Sequence, residues 1–194
     1  GEPMAYLRGE QAFFGLPLRV DARVLVPRPD TETLVQWALD LLADLPVDAE
    51  VIDLGTGSGA VALALATQRP SLRLTATDAS ADALAVAQAN AERLGARLCF
   101  RQGAWLRAVP GERFHLVVSN PPYIAEGDPH LPALGHEPRT ALTAGPDGLD
   151  DLRTIVAQAP HALHPGGWLL LEHGHDQAAA VQALLRDRGF GSVD

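Results

Sequence analysis

An asparagine and two prolines that directly follow an apolar run form the most informative pattern in this sequence. The run ends at Ser119, and Asn120-Pro121-Pro122-Tyr123 come next. Asn120 offers a side-chain carbonyl, while the prolines stiffen the turn and remove backbone donors, so carbonyl oxygens stay free to accept hydrogen bonds. Tyr123 adds a flat face for stacking on a planar group. A planar NH2 group held between the carbonyls of Asn120 and Pro121 would have both hydrogens occupied, which suits methylation of a weakly nucleophilic nitrogen. An ordinary turn after a strand is the alternative interpretation.

A glycine-rich loop lies upstream of this turn. Gly55-Thr56-Gly57-Ser58-Gly59 follow the apolar strand predicted at 51–54, and glycine permits a tight turn and close approach of a ligand to the backbone. Asp78 falls at the end of the next predicted strand, where a ribose-binding acid belongs. Enzymes that use a dinucleotide and enzymes that use S-adenosylmethionine share this pattern, and the loop alone does not choose between them.

The asparagine turn separates the two cofactor hypotheses. A hydride-transfer enzyme does not require an amide-binding turn beside its cofactor loop. A methyltransferase of amino groups requires both the cofactor loop and the amide-binding turn. Asn120 therefore favours S-adenosylmethionine as the cofactor. Asp53 and Asp78 could each be a plain strand-end residue if considered alone.

Composition narrows the class of protein further. The 194 residues carry a formal net charge of -9, which argues against a partner held mainly through its phosphates. Cys99 is the only cysteine, so no intrachain disulfide can form; we expect it to be a small buried apolar side chain in a reducing compartment. The apolar run at 60–66 is too short to span a bilayer and no leader opens the chain, so we expect a cytoplasmic protein.

Alternating apolar strands and amphipathic helices predict a doubly wound α/β fold with a mostly parallel sheet. Strands are expected at 51–54, 72–77, 98–101, 116–119 and 168–172, and helices at 60–68, 81–94, 149–163 and 177–188. Ligands should then lie at the carboxyl ends of the strands.

The first 29 residues form a separate segment in this prediction. Strand-like pieces at 12–14, 16–20 and 24–26 indicate a small antiparallel hairpin on the substrate side. A helix capped by Asp30 or Thr31 then opens the main domain, 30–194. The glycine- and proline-rich stretch 125–148 is too long for an ordinary connection and is predicted to be a lid or substrate loop.

Taken together, these motifs resemble the glutamine methyltransferases that modify bacterial peptide-chain release factors. The resemblance covers nearly the whole chain and rests on Pro27-Arg28-Pro29-Asp30-Thr31-Glu32, on Glu137-Pro138, on Gly145-Pro146-Asp147-Gly148-Leu149 and on Leu171-Glu172-His173-Gly174, besides the motifs above. Pro29 to Glu32 favour the release-factor branch over the ribosomal-protein branch.

The resemblance implies a class I, Rossmann-like enzyme that uses S-adenosylmethionine and releases S-adenosylhomocysteine. The cofactor residues it implies are Gly55, Thr56, Gly57, Ser58, Gly59, Asp78, Trp105 and Asn120, with Asp78 on the ribose and Trp105 beside the adenine. The implied substrate residues are Arg28, Pro29, Asn120, Pro121, Pro122 and Tyr123; of these, Asn120, Pro121 and Tyr123 are also the implied catalytic residues. The substrate is the glutamine of the Gly-Gly-Gln tip of a release factor.

Two departures from the family and three alternatives accompany this hypothesis. Ala104 stands where the family often has an acid, so an acidic contact to the adenine amine is not expected, and the chain is expected to lack an upstream helical domain and its C-terminal end. A ribosomal-protein methyltransferase, a methyltransferase of adenine or guanine amines, and a noncatalytic cofactor-binding module are the alternatives. The seven histidines show no zinc-like spacing, so no metal site is predicted.

Overall fold

The computed structural model describes residues 1–194 and opens with a short helix and a hairpin. Helix α1 (Met4–Arg8) leads into strands β1 (Glu10–Phe13) and β2 (Leu16–Arg19), which pair antiparallel. The turn between the strands contains Phe14 and Gly15, both with positive φ, a conformation suited to a tight two-residue hairpin. The predicted hairpin is confirmed, and α1 was not anticipated.

A five-stranded parallel sheet forms the centre of the molecule. Its strands are β3 (Glu50–Leu54), β4 (Arg73–Asp78), β5 (Cys99–Gln102), β6 (Phe114–Ser119) and β7 (Leu163–Leu171). Their order across the sheet is β5-β4-β3-β6-β7, and every pair is parallel. The first strand of this sheet, β3, therefore lies in its middle. The sheet extends to one side through β4 and β5, and the chain then returns to the other side of β3 with β6.

Helices cover both faces of this sheet. They are α2 (Thr31–Leu42), α3 (Ala60–Gln68), α4 (Ala81–Leu94), α5 (Asp150–Ala162) and α6 (Ala178–Asp187). Successive strand residues serve opposite layers, because Val51 packs in the core cluster with α2 and α3 whereas Ile52 packs in the cluster that includes α5. The predicted doubly wound α/β architecture is confirmed. No helix combines the length and the apolar character that crossing a membrane would require.

Three local predictions are wrong. Residues 24–26 form no strand; Val24 and Val26 are apolar because they pack in a small core cluster, and the Val24 carbonyl accepts from the Tyr6 hydroxyl. Neither Asp30 nor Thr31 caps α2 through its side chain, since the Thr31 hydroxyl faces a partner in the main domain instead. Cys99 is exposed, in keeping with its place on an edge strand.

One buried amide joins the hairpin to the main domain. Asn90 of α4 is fully buried; its Nδ2 donates to the carbonyl of Arg19 at 3.0 Å and to that of Ser58 at 2.9 Å. Its Oδ1 accepts from the backbone N–H of Arg19 at 2.8 Å. A single side chain thereby fixes β2 and the glycine-rich loop relative to the same helix.

We predict that Asn90→Ala destabilises the protein by on the order of 3 kcal/mol, because three hydrogen bonds disappear and buried backbone groups lose their partners. Chemical denaturation followed by circular dichroism measures this change. Gln88→Ala, at an exposed position of the same helix, is the matched control and should leave the unfolding free energy nearly unchanged. Equal stability of the two variants would contradict the role given to Asn90.

Candidate active site

The candidate site lies at the carboxyl ends of β3 and β6, where the direction of strand addition reverses. Leu54 and Ser119 are paired residues at these two ends. The buried Ser119 hydroxyl donates to the Leu54 carbonyl at 2.7 Å and holds the ends together. Such a reversal opens a crevice above the sheet, and it is the usual ligand position in open α/β folds.

The glycine-rich loop follows β3 and is shaped by backbone conformations that suit glycine. Gly55 and Gly59 have φ values of +68° and +86°, in the left-handed region. A Cβ on Gly55 would lie 3.2 Å from the ring of Trp105, so this ring packs against the start of the loop. Gly57 has no neighbour within 4 Å of a Cβ position, which leaves that side of the loop open. Thr56 and Ser58 are buried beneath it.

Asp53 supports the loop from below. It is 2% exposed, and its Oδ2 accepts from the Thr56 hydroxyl at 2.6 Å and from the Ala62 amide at 3.2 Å. Burial raises the pKa of Asp53 to about 7, and the two hydrogen bonds oppose the effect only in part. Asp53 therefore acts as a buried anchor between the loop and the first turn of α3.

Asp78 ends β4 beside the same loop. Its Oδ2 accepts from the Gly57 amide at 2.9 Å and its Oδ1 from the Ser80 amide at 2.9 Å. Burial raises the pKa of Asp78 despite these bonds. Each carboxylate oxygen can accept more than one hydrogen bond, so the group can still receive hydroxyl donors from a ligand while it orders the loop.

The asparagine turn occupies the β6 side of the crevice. Asn120 is half-buried, and its Nδ2 donates to the Thr31 hydroxyl oxygen at 3.0 Å. Pro121 and Pro122 are buried. The Tyr123 hydroxyl donates to Glu172 Oε1 at 3.3 Å, and burial together with Glu172 raises the pKa of Tyr123 to about 12, so this phenol stays protonated.

Trp105 is held in place by α5. It begins a short 3-10 turn, Trp105–Ala108, with a positive φ of +52°. The next amide, that of Leu106, donates to Gln158 Oε1 at 3.1 Å. Burial raises the pKa of Asp151 in α5, and the Trp105 side chain opposes this rise. The indole is thus fixed between the glycine loop and α5.

Arg28 and Pro29 occupy different environments. The Arg28 guanidinium contacts both oxygens of Glu137, at 2.6 and 2.8 Å, and the Glu137 side chain is almost fully buried. Glu137 belongs to the predicted lid 125–148. This segment also pairs with Ile124, whose amide donates to the Leu142 carbonyl and whose carbonyl accepts from the Ala144 amide. Pro29 is exposed, and its carbonyl accepts from the Glu32 amide in the first turn of α2. Arg28 therefore ties the lid segment to the entrance of α2.

A second polar cluster lies at the opposite edge of the sheet. His164 Nε2 is 2.8 Å from Glu50 Oε2, and the rings of His115 and His164 are 4.4 Å apart between centroids. These three side chains present ligand atoms close enough for a metal ion. The His115 Nδ1, however, accepts from the Glu50 backbone amide at 3.1 Å. No local sequence pattern predicted this cluster, because its members come from three different strands.

The sequence analysis did not predict the contacts that four further residues make at the candidate site. Glu172 and Glu137 were noted only as motif matches, Thr31 only as a motif match and a possible helix cap, and Asp151 not at all. Each acts through a contact with a residue at least 46 positions away in the chain. Only the family resemblance of their segments hinted that they matter.

The fold and the two adjacent loops define a class I methyltransferase, and solved structures share this architecture. The chain matches a methyltransferase from Pyrococcus furiosus with a TM-score of 0.65 at 21% identity, over 92% of this chain and 80% of that one. It matches a SAM-dependent methyltransferase from Agrobacterium tumefaciens with a TM-score of 0.68 at 17% identity, over 94% and 58%. At these identities the likeness concerns the fold alone.

Sequence relatives identify the family. Residues 36–137 match the methyltransferase small domain. The release factor glutamine methyltransferase of Yersinia pestis is 53% identical across all of this chain and 70% of its own length. Those of Pseudomonas aeruginosa and Vibrio cholerae are 53% and 50% identical, with 70% and 68% of their lengths covered. The chain therefore belongs to the release factor glutamine methyltransferase family.

We predict that Asp53→Asn flattens the pH dependence of stability. A raised carboxyl pKa in the folded state favours folding while the group is protonated, and this contribution is lost as the pH rises from about 4 to about 7. The loss amounts to at most on the order of 4 kcal/mol. The amide of the variant cannot ionise, yet it keeps an acceptor oxygen for Thr56 and Ala62.

Denaturant titrations of the ligand-free protein across this pH range provide the test. Asp44→Asn, at an exposed position, is the matched control and should keep the wild-type slope. A wild-type slope in Asp53→Asn would show that Asp53 does not titrate in this range.

Proposed function

We propose that this chain transfers a methyl group from S-adenosylmethionine to the side-chain amide nitrogen of a glutamine, that of the Gly-Gly-Gln motif of peptide-chain release factors. The observation that carries the proposal is the junction of the glycine loop and the asparagine turn, joined by the Ser119–Leu54 hydrogen bond of 2.7 Å. This junction brings the glycine loop beside a turn rich in acceptors, which supports a cofactor and an amide substrate bound next to each other. Membership of the release factor glutamine methyltransferase family supports the choice of substrate.

The cofactor side of the crevice fits S-adenosylmethionine. The loop from Gly55 to Gly59 is open at Gly57, where backbone can meet the amino-acid part of the cofactor. Asp78 has acceptor capacity for the ribose hydroxyls, and the Trp105 ring offers an apolar wall for the adenine. When bound, the cofactor supplies a methyl group activated by the positive charge on sulfur.

The substrate side fits a planar amide. The Asn120 Oδ1 and the Pro121 carbonyl are acceptors for the two hydrogens of the glutamine NH2, and Tyr123 supplies a face for stacking. Pro122 keeps the turn rigid, because its ring fixes φ and removes a backbone donor. In this proposal the exposed Pro29 and the Arg28–Glu137 pair border the entering peptide.

The chemistry requires positioning more than proton transfer. The amide lone pair is delocalised into its carbonyl, so the nitrogen is a poor nucleophile. Acceptors on both hydrogens raise electron density on nitrogen as it gains positive charge in the transition state. The nitrogen forms the new bond to the methyl carbon, the electron pair of the broken carbon–sulfur bond stays with sulfur, and nitrogen then loses one proton to water.

The proposed partner is a protein, and the proposed compartment is the cytoplasm. A net charge of -9 disfavours a substrate recognised through nucleic-acid phosphates. Mass spectrometry of a release factor incubated with the chain and S-adenosylmethionine tests the function directly. One added methyl group on the glutamine of Gly-Gly-Gln is the expected result, and methylation confined to another residue would contradict it.

We predict that Asn120→Ala loses most methyl transfer, with a barrier increase on the order of 3 kcal/mol, as for removal of a preorganised transition-state contact. Cofactor affinity should fall much less, because the loop, Asp78 and Trp105 remain. Steady-state methylation of the release factor, paired with calorimetry of S-adenosylhomocysteine binding, separates the two effects. Wild-type turnover in the variant would remove Asn120 from the catalytic set.

We predict that Asp78→Ala weakens cofactor binding by roughly 2 kcal/mol, because a charge-assisted contact to ribose hydroxyls is lost. The same change also frees the Gly57 amide, so the ribose contact needs its own test. S-adenosylhomocysteine and an analogue that lacks both ribose hydroxyls should be titrated into wild type and variant. A ribose contact gives a smaller loss with the analogue, whereas an equal loss with both ligands would assign Asp78 to loop ordering only.

A further inference from the structure

The side chain of Asn120 has two ends of the same shape and opposite hydrogen-bonding character. Its Nδ2 donates to Thr31 Oγ1 at 3.0 Å. Thr31 is 3% exposed and lies at the first turn of α2, a helix that contributes nothing else to the turn's hydrogen bonds. Because an amide carries donors at one end and an acceptor at the other, the contact with Thr31 decides which end faces the crevice.

The carboxylate of Glu172, a half-buried residue, decides the direction of that contact. Glu172 follows β7; its Oε1 accepts from the Tyr123 hydroxyl at 3.3 Å, and its Oε2 is shielded from solvent without a hydrogen-bond partner of ordinary length. Burial raises the pKa of Glu172, and the Thr31, Tyr123 and Asn120 side chains oppose this rise. Glu172 is therefore an acceptor in need of donors, set among Thr31, Asn120 and Tyr123.

The polarity of the group then follows from counting hydrogens. An ionised carboxylate only accepts, and the Thr31 hydroxyl has a single hydrogen. If that hydrogen points to Glu172, only lone pairs remain on Oγ1 for Asn120. The Nδ2 end of Asn120 must face Thr31, and the Oδ1 end must face the crevice.

We propose that Thr31 and Glu172 are positioning residues that hold the Asn120 amide with its carbonyl oxygen toward the substrate nitrogen. This inference rests on the proposed function for its consequence in catalysis. With the amide reversed, two NH2 groups would meet donor to donor, and the glutamine would lose the acceptor that orients it. Thr31 and Glu172 make no hydrogen bond to the glycine loop, and Thr31 binds Asn120 directly, so their effect passes through Asn120.

Thr31→Val and Thr31→Ser separate positioning from packing. Valine keeps the shape of threonine but removes the hydroxyl, whereas serine keeps the hydroxyl and removes the methyl group. We expect Thr31→Val to lower kcat by roughly tenfold or more with little change in KM or in S-adenosylhomocysteine affinity, and Thr31→Ser to recover most of the wild-type kcat. Thr33→Val, at an exposed position two residues away, is the matched control and should behave like wild type. A packing role reverses the order, with valine active and serine impaired, and that result would overturn the proposal.

Glu172→Gln extends the test to the carboxylate. A glutamine amide can donate toward Thr31 and release the hydroxyl hydrogen, so kcat should fall again with cofactor affinity preserved. Since both residues act through the same side chain, the double variant Thr31→Val/Glu172→Gln should be little worse than the more impaired single variant. Multiplicative losses would contradict a shared role.

A readout without substrate keeps the inference independent of the proposed function. Asn90 and Asn120 are the only two asparagines in the sequence, so isotope labelling of asparagine gives two side-chain amide signals in a nuclear magnetic resonance spectrum. In Thr31→Val the Asn120 NH2 signal should shift and exchange faster with solvent, while the Asn90 signal, from a buried group, should stay unchanged. An unaltered Asn120 signal would overturn the inference even if wild type methylates the release factor. A shifted signal with no methylation by wild type would instead reject the proposed function.

Discussion

The parallel pairing of β3 with β6 is the constraint on which the rest of the site depends. It sets Leu54 and Ser119 side by side at the carboxyl ends of two strands that are 65 positions apart in the chain. The glycine loop and the asparagine turn then start from the same level above the sheet. A slip of one residue would turn Ser119 to the other face of β6 and lose its hydrogen bond, so the register couples the glycine loop to the asparagine turn.

One buried and two half-buried acids give this edge of the sheet its electrostatic character. Asp53, Asp78 and Glu172 lie at or just past the carboxyl ends of three different strands, and burial raises the pKa of all three. Each raised pKa means that the charged carboxylate is disfavoured in the folded protein unless a further hydrogen-bond donor or a positive charge binds it. A ligand with positive charge at this edge would stabilise the ionised acids, and so the edge is better suited to a cationic cofactor than to an anionic one. The formal net charge of -9 acts in the same direction at longer range.

The sequence allowed much of the fold to be predicted, together with the two loops that meet at the candidate site. Continuous apolar strands and amphipathic helices determine the α/β class, because their periodicity depends only on neighbours in the chain. The glycines and the prolines are readable for the same reason: the backbone geometry they permit is local. By contrast, the contact of Thr31 with Asn120 and that of Arg28 with Glu137 span 89 and 109 positions, and no local pattern specifies them. A local pattern can also mislead: the strand predicted at 24–26 is absent, because the apolar residues there pack in a small separate core cluster and not in a sheet.

The segment from Pro27 to Glu32 illustrates how a family motif can be explained by contacts. Arg28 binds Glu137 and so fastens the lid segment. Thr31 receives the Asn120 amide. Glu32 Oε1 accepts from the backbone amide of Phe14 at 2.8 Å and supports a residue whose φ is positive. Within five consecutive positions the chain therefore binds the lid, the asparagine turn and the hairpin, each through a different side chain. Because the three contacts begin on one short stretch before and inside the first turn of α2, a displacement of that turn would disturb the lid segment, the asparagine turn and the hairpin together. The glycine loop, by contrast, has its own anchors in Asp53 and Asp78.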